Sequence, residues 1–65
     1  RILREGLAQL SVEQRTAIEL SYFEGYTQEQ ISKRLNVPLG TVKTRQRQGL
    51  MKLRDILKGR IKEIG

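Results

Sequence analysis

The chain contains no cysteine and no histidine. A disulfide scaffold and the usual zinc sites are therefore excluded, because both depend on side chains that are missing. Apolar residues come in short groups, never in a run long enough to cross a bilayer, and no signal-peptide pattern opens the sequence. No membrane insertion and a cytoplasmic location are the expectation. There is no GxxxxGK[ST] loop, no paired-carboxylate cleft and no nucleophile with a base beside it. With 65 residues the chain could hardly enclose a deep pocket either, so neither an enzyme nor a cofactor is expected. Strand-like alternation, internal repeats and low-complexity tracts are absent. What remains is an all-α fold: one domain over residues 1–65 with a small core. The chain begins with Arg1 rather than a methionine, and it is expected to be part of a longer protein.

Acidic residues are missing from one particular place. Between Pro38 and Arg54 there is no Asp or Glu, while Lys43, Arg45, Arg47, Lys52 and Arg54 all fall within that stretch. Residues 1–30 hold three arginines against five glutamates, a net of −2. Residues 31–65 hold ten Lys or Arg against Asp55 and Glu63, a net of +8, which completes the +6 of the whole chain. A mildly acidic half is thus joined to a strongly basic one, which points to a polyanion at the C-terminal half and to a different partner, or none, at the other.

Punctuation along the sequence divides it into helices. Arg1 to Gln9 reads as a short helix with Ile2, Leu3, Leu7 and the following Leu10 near one side, broken or bent at Gly6. Ser11 with Gln14 three residues on forms a capping box, and Glu13 suits the positive helix end. A helix therefore runs from Val12 through Ala17, Ile18, Tyr22 and Phe23, stopping at Gly25, the residue type that best takes the left-handed C′ position. Tyr22, Phe23 and Tyr26 are expected in the core, Tyr26 as a hydrophobic staple ahead of the next cap. Thr27 and Gln30 form that second capping box, opening a helix with Ile31 and Leu35 inward. Asn36-Val37-Pro38 ends it, because proline cannot continue one helix yet suits the start of another. A basic helix then opens near Leu39. Its apolar spacing persists through Leu50, Leu53, Leu57, Ile61 and Ile64, but the roughly 1 kcal/mol penalty of a mid-helix glycine predicts fraying at Lys58 before Gly59, with Arg60 to Gly65 as a loose, solvated basic end.

Two short helices joined by such a turn, the second loaded with hydrogen-bond donors, describe a helix-turn-helix. On a helix from Leu39, residues Gly40, Lys43, Thr44, Arg47 and Gln48 share one broad face with Thr41 and Arg45 at its edges, while Val42, Leu50 and Leu53 point toward the preceding helix. Arg or Lys can donate to guanine O6 and N7, Gln can pair with adenine and a Thr methyl can touch that of thymine. Lys33, Arg34, Lys52 and Arg54 are the candidates for the phosphate backbone. Gly40 lets the first turn come close to a phosphate. Glu19, Glu24 and Glu29 are read as solvated.

The segments Tyr22-Phe23-Glu24-Gly25, Gln30-Ile31 and Leu39-Gly40-Thr41-Val42-Lys43-Thr44-Arg45, with Leu10 ahead and Lys52-Leu53-Arg54 behind, resemble region four of bacterial sigma factors. The likeness is greatest to the extracytoplasmic-function group and spans about Leu7 to Leu57. It implies a bundle of four helices whose last helix reads the minus-35 element of promoter DNA. It also implies that the first helices dock on the β flap of core RNA polymerase and that an anti-sigma factor can mask the same surfaces. Carried over by position, the implied DNA contacts are Thr41, Lys43, Thr44, Arg45 and Arg47, with Gln48 at a site often basic. Gln46 stands where the family usually has an apolar residue and Gly49 where alanine is usual. Gly49 should loosen the helix, and the two glutamines imply either a rotated recognition helix or an altered sequence preference. Ser32, at a site usually alanine, is small enough to fit. Leu3, Leu7 and Leu10 are equally readable as a partner-docking stripe or as core. Two alternatives stand beside this reading: the DNA-binding output domain of a LuxR-type response regulator, and an interaction module whose basic face only keeps it soluble.

Overall fold

A computed structural model describes residues 2–64, with side chains described for residues 3–59. Four helices follow one another: α1 (Ile2–Ala8), α2 (Val12–Tyr22), α3 (Gln28–Leu35) and α4 (Leu39–Ile64). No described residue is in a strand. Both capping boxes form as the sequence predicts. At α2 the Gln14 N–H donates to Ser11 Oγ (3.1 Å) and the Ser11 N–H to Gln14 Oε1 (3.3 Å). At α3 the Gln30 N–H donates to Thr27 Oγ1 (3.1 Å) and the Thr27 N–H to Gln30 Oε1 (2.9 Å). Each box satisfies two donors that the first turn otherwise leaves open.

The ends of α2 and α3 differ in kind. At α2 the Phe23 and Glu24 N–H groups both reach the Glu19 carbonyl, and Gly25 at φ 77° turns the chain so that the Tyr26 N–H returns to Leu20 O at 2.9 Å. The helix closes at Tyr22, slightly before the predicted stop, with Gly25 in the expected left-handed region. At α3 the left-handed residue is Asn36 (φ 57°), whose N–H bonds Lys33 O, while the Val37 N–H reaches Ser32 O. The Ser32 hydroxyl donates to the Val37 carbonyl, so this small residue does more than fit: it ties the turn shut. Pro38 then accepts from the Thr41 and Val42 N–H groups and starts α4.

Helix α4 is the spine. Its 26 residues span about 39 Å at 1.5 Å per residue, which accounts for the 41 Å length of the molecule. All three other helices pack on it, α2 most extensively. Leu7, Leu10, Ile18 and Leu53 form the core cluster, with Leu57 against it, while Ile31 and Val42 are fully buried nearby. Leu7 and Leu10 thus belong to the interior, and only Leu3 of the proposed leucine stripe offers surface.

Several expectations are overturned by packing. Gly6 does not break α1; a Cβ there would lie 2.7 Å from Leu53 Cδ1, so the missing side chain lets α1 lie directly on α4. Gly49 likewise sits against α2, 2.6 Å from Ile18 Cδ1 as measured from a built Cβ, and tightens the bundle rather than loosening the helix. Tyr22 and Phe23 are 63% and 58% exposed, not core. Leu50, 37% exposed, lies at the edge of the core rather than within it. Helix α4 does not fray at Lys58 but runs through Gly59 to Ile64; the side chains of residues 60–64, whose solvation was expected, and Gly65 lie outside the described residues. Among the described residues no helix is long and apolar enough to cross a membrane.

Candidate nucleic-acid interface

The seam that fastens α4 is Val42, Gln46, Gly49 and Leu53, all buried. These residues recur at spacings of four and three, one stripe of a 3.6-residue repeat. Whatever lies roughly opposite must face outward. There the structure puts Gly40, Lys43, Thr44, Arg47 and Gln48, all exposed, with Thr41 and Arg45 half-buried at the margins. The exposed face of α4 is the one expected from the sequence. Met51, exposed at 52%, extends it by a turn and escaped the sequence reading.

The first three turns of this helix carry no negative side chain of their own, because no acid occurs between Pro38 and Arg54. Further along, Arg54 Nε lies 3.7 Å from Asp55 Oδ1 with both side chains well exposed. Such a pair contributes little and leaves the guanidinium free to turn to another anion. Lys52 is exposed on the same helix. On α3, Lys33 and Arg34 are exposed in the last turn. Arg34 is steadied by Tyr26, its guanidinium carbon 5.2 Å from the ring centroid, a cation–π contact of about 0.5–1 kcal/mol at an exposed site. Tyr26 thus contributes to the basic side, and it is only half-buried. At Gly40 nothing stands within 4 Å of a built Cβ, so the first turn of α4 is open to a close approach.

On another side, Leu3, Tyr22, Phe23 and Leu50 wall an apolar groove between α1, α2 and α4 over a floor of Leu7, Ile18 and Leu53. The sequence carried a signal for it. Tyr22 and Phe23 are adjacent, hence about 100° apart around the helix axis, which spreads apolar surface wider than the adjacent pair Ala17 and Ile18 that α2 buries.

A family model described as sigma-70, region 4 matches residues 6–55. The chain belongs to the sigma-70 region 4 family. Among its relatives is an ECF RNA polymerase sigma factor, SigK, of Mycobacterium sp. (strain JLS), 45% identical over 51 residues that cover 78% of this chain and 26% of that protein. The SigK protein of Mycobacterium tuberculosis is 42% identical over 57 residues, covering 88% of this chain and 30% of that one. The chain thus spans between a quarter and a third of the length of these relatives. The matched span takes in most of the region 4 bundle described above: the second half of α1, both capping boxes, the Asn36–Pro38 turn and α4 as far as Asp55. Of the alternatives considered from the sequence, the response-regulator output domain is set aside by this membership.

Proposed function

We propose that the chain recognises the minus-35 element of promoter DNA as the C-terminal region of an RNA polymerase sigma factor of the extracytoplasmic-function type, working in the cytoplasm. One observation carries the reading: an acid-free basic face on α4 stands opposite a fully buried seam. A face held outward by a buried seam can be offered to a major groove. In this reading Thr41, Lys43, Thr44, Arg45, Arg47 and Gln48 meet base edges and nearby phosphates. Lys33, Arg34, Lys52 and Arg54 hold the backbone, and the open turn at Gly40 lies against a phosphate. The apolar groove walled by Leu3, Tyr22, Phe23 and Leu50 docks the β flap of core polymerase, and an anti-sigma factor would compete for it. Four large apolar side chains left at the surface around one groove favour a protein partner there.

Binding to duplexes across a salt series tests the DNA role. Phosphate contacts make log K fall with log salt by about 0.9 per contact. Arg47→Ala is expected to weaken binding and relax base preference, whereas Lys52→Ala weakens every sequence alike and reduces the salt slope by about one. A promoter duplex and a scrambled one bound equally, with no salt slope, would refute the proposal.

A further inference from the structure

Gln46 is the one buried polar side chain among the described residues, 7% exposed. It is satisfied twice. Its Nε2 donates to the Ala17 carbonyl of α2 at 3.3 Å, and its Oε1 accepts from Gln28 Nε2, in the first turn of α3, at 2.7 Å. No buried side-chain nitrogen or oxygen among the described residues lacks a partner. One amide thus ties the recognition helix to both helices beneath it, on the seam between Val42 and Gly49.

The apolar members of that seam attract without direction. Val42 and Leu53 hold α4 by close packing, without a directional bond, and would yield to a small turn of the helix at a gradual cost in contacts. The Gln46 bonds would not, since hydrogen bonds weaken steeply with distance and angle and an amide shut away from water without partners carries its full desolvation penalty. Isolated polar groups in otherwise apolar helix contacts fix register elsewhere for the same reason. Gln46 stands directly between Arg45 and Arg47 in the chain, so any rotation it prevents is a rotation of those two side chains.

We propose that Gln46, gripped by Gln28 and the Ala17 carbonyl, is a positioning residue for base recognition: it sets the rotation of α4 and so aims Arg47 and, one turn back, Lys43. Gln28, eighteen residues away, shares the role, locking the two helices of the helix-turn-helix to one another. The inference rests on the promoter-reading role proposed above. It makes base preference depend on a side chain that touches no DNA.

Gln46→Met keeps the length and approximate volume of the side chain and removes both bonds. It need not orphan its partners: Ala17 O lies within the hydrogen-bonded ladder of α2, and Gln28 is only half-buried and can turn to water. Sequence selection from a randomised duplex library, by the full-length protein assembled with core polymerase, is run on the wild type, Gln46→Met, Gln28→Met and the double variant. The wild type is expected to enrich one sequence. Each single variant should flatten preference about tenfold at the positions that Arg47→Ala flattens, tenfold being within the discrimination carried by one good base contact. The double variant should flatten it no further, since both changes break one linkage. Thermal midpoints and salt slopes should stay near those of the wild type, because the phosphate-facing cations are untouched.

Unchanged base preference in a folded Gln46→Met would overturn the proposal. So would an equal loss on every duplex accompanied by a lower midpoint, the mark of a merely structural residue. If Gln46→Met does not fold, the half-buried Gln28→Met decides alone by the same criteria. A wild type that enriches no sequence overturns the promoter reading and this inference together, whereas a selective wild type with equally selective variants overturns only the positioning role.

Discussion

Replacing Gly49 by alanine sets two measurable effects against each other. In an exposed helix interior the change favours the helix by about 0.8–1 kcal/mol. Here the new methyl would stand 2.6 Å from Ile18 Cδ1 and 3.3 Å from Gln14 Cβ. The Ile18 methyl is the far end of a side chain and can swing aside, but Ile18 is 3% exposed and belongs to the core cluster. Gln14 Cβ is fixed to the α2 backbone and yields only if the two helices part by a few tenths of an ångström. Overpacking of this kind costs about 1–3 kcal/mol, so the cost exceeds the gain, with a net loss of about 1 kcal/mol. In a domain of this size that lowers the melting point by about 4–8 °C. Gly59→Ala is the matched control: nothing lies within 4 Å of its Cβ, so only the helix-favouring effect acts, up to about 1 kcal/mol. Thermal and urea unfolding followed by circular dichroism compares the two. A Gly49→Ala protein stabilised as much as Gly59→Ala would refute the close contact between α2 and α4.

Three further perturbations test the caps, the turn and the groove. Thr27→Ala removes the acceptor for the Gln30 N–H and is expected to cost about 0.5–2 kcal/mol; an unchanged urea midpoint would mean that water replaces the cap without loss. Asn36 holds φ 57°, so Asn36→Ala should destabilise by about 1 kcal/mol and Asn36→Gly by less, with equal melting points counting against left-handed strain as the cause. Phe23→Asp and Leu3→Asp alter exposed walls of the groove and should lower affinity for core polymerase severalfold while leaving the melting point within a few degrees; a pull-down at wild-type strength would remove the groove as the docking surface.

Local chemistry made much of this fold readable in advance. Ser11 with Gln14 and Thr27 with Gln30 announce helix starts because the bonded partners are three residues apart, and Gly25 and Pro38 act through their own backbone preferences. The outward face of α4 was readable too, since any apolar repeat fixes the opposite side of its own helix. Harder to read was everything that depends on a partner distant in sequence. Gly6 and Gly49 look like weak points until Leu53 and Ile18 are seen against them. Gln46 looks misplaced in an apolar seam until Gln28 arrives from α3 and the Ala17 carbonyl from α2. Periodicity also overcounted the interior at Tyr22, Phe23 and Leu50, because it finds an apolar stripe without saying whether a chain so short has enough mass to cover it.

From Leu39 to Ile64 the last helix is one piece, with no proline along it to break it. A twist applied near its far end would run along the helix until it met the Gln46 bonds, which hold the Thr44 turn against it. The nearest joint able to give is the short corner of Asn36, Val37 and Pro38, and Ser32 holds that corner closed.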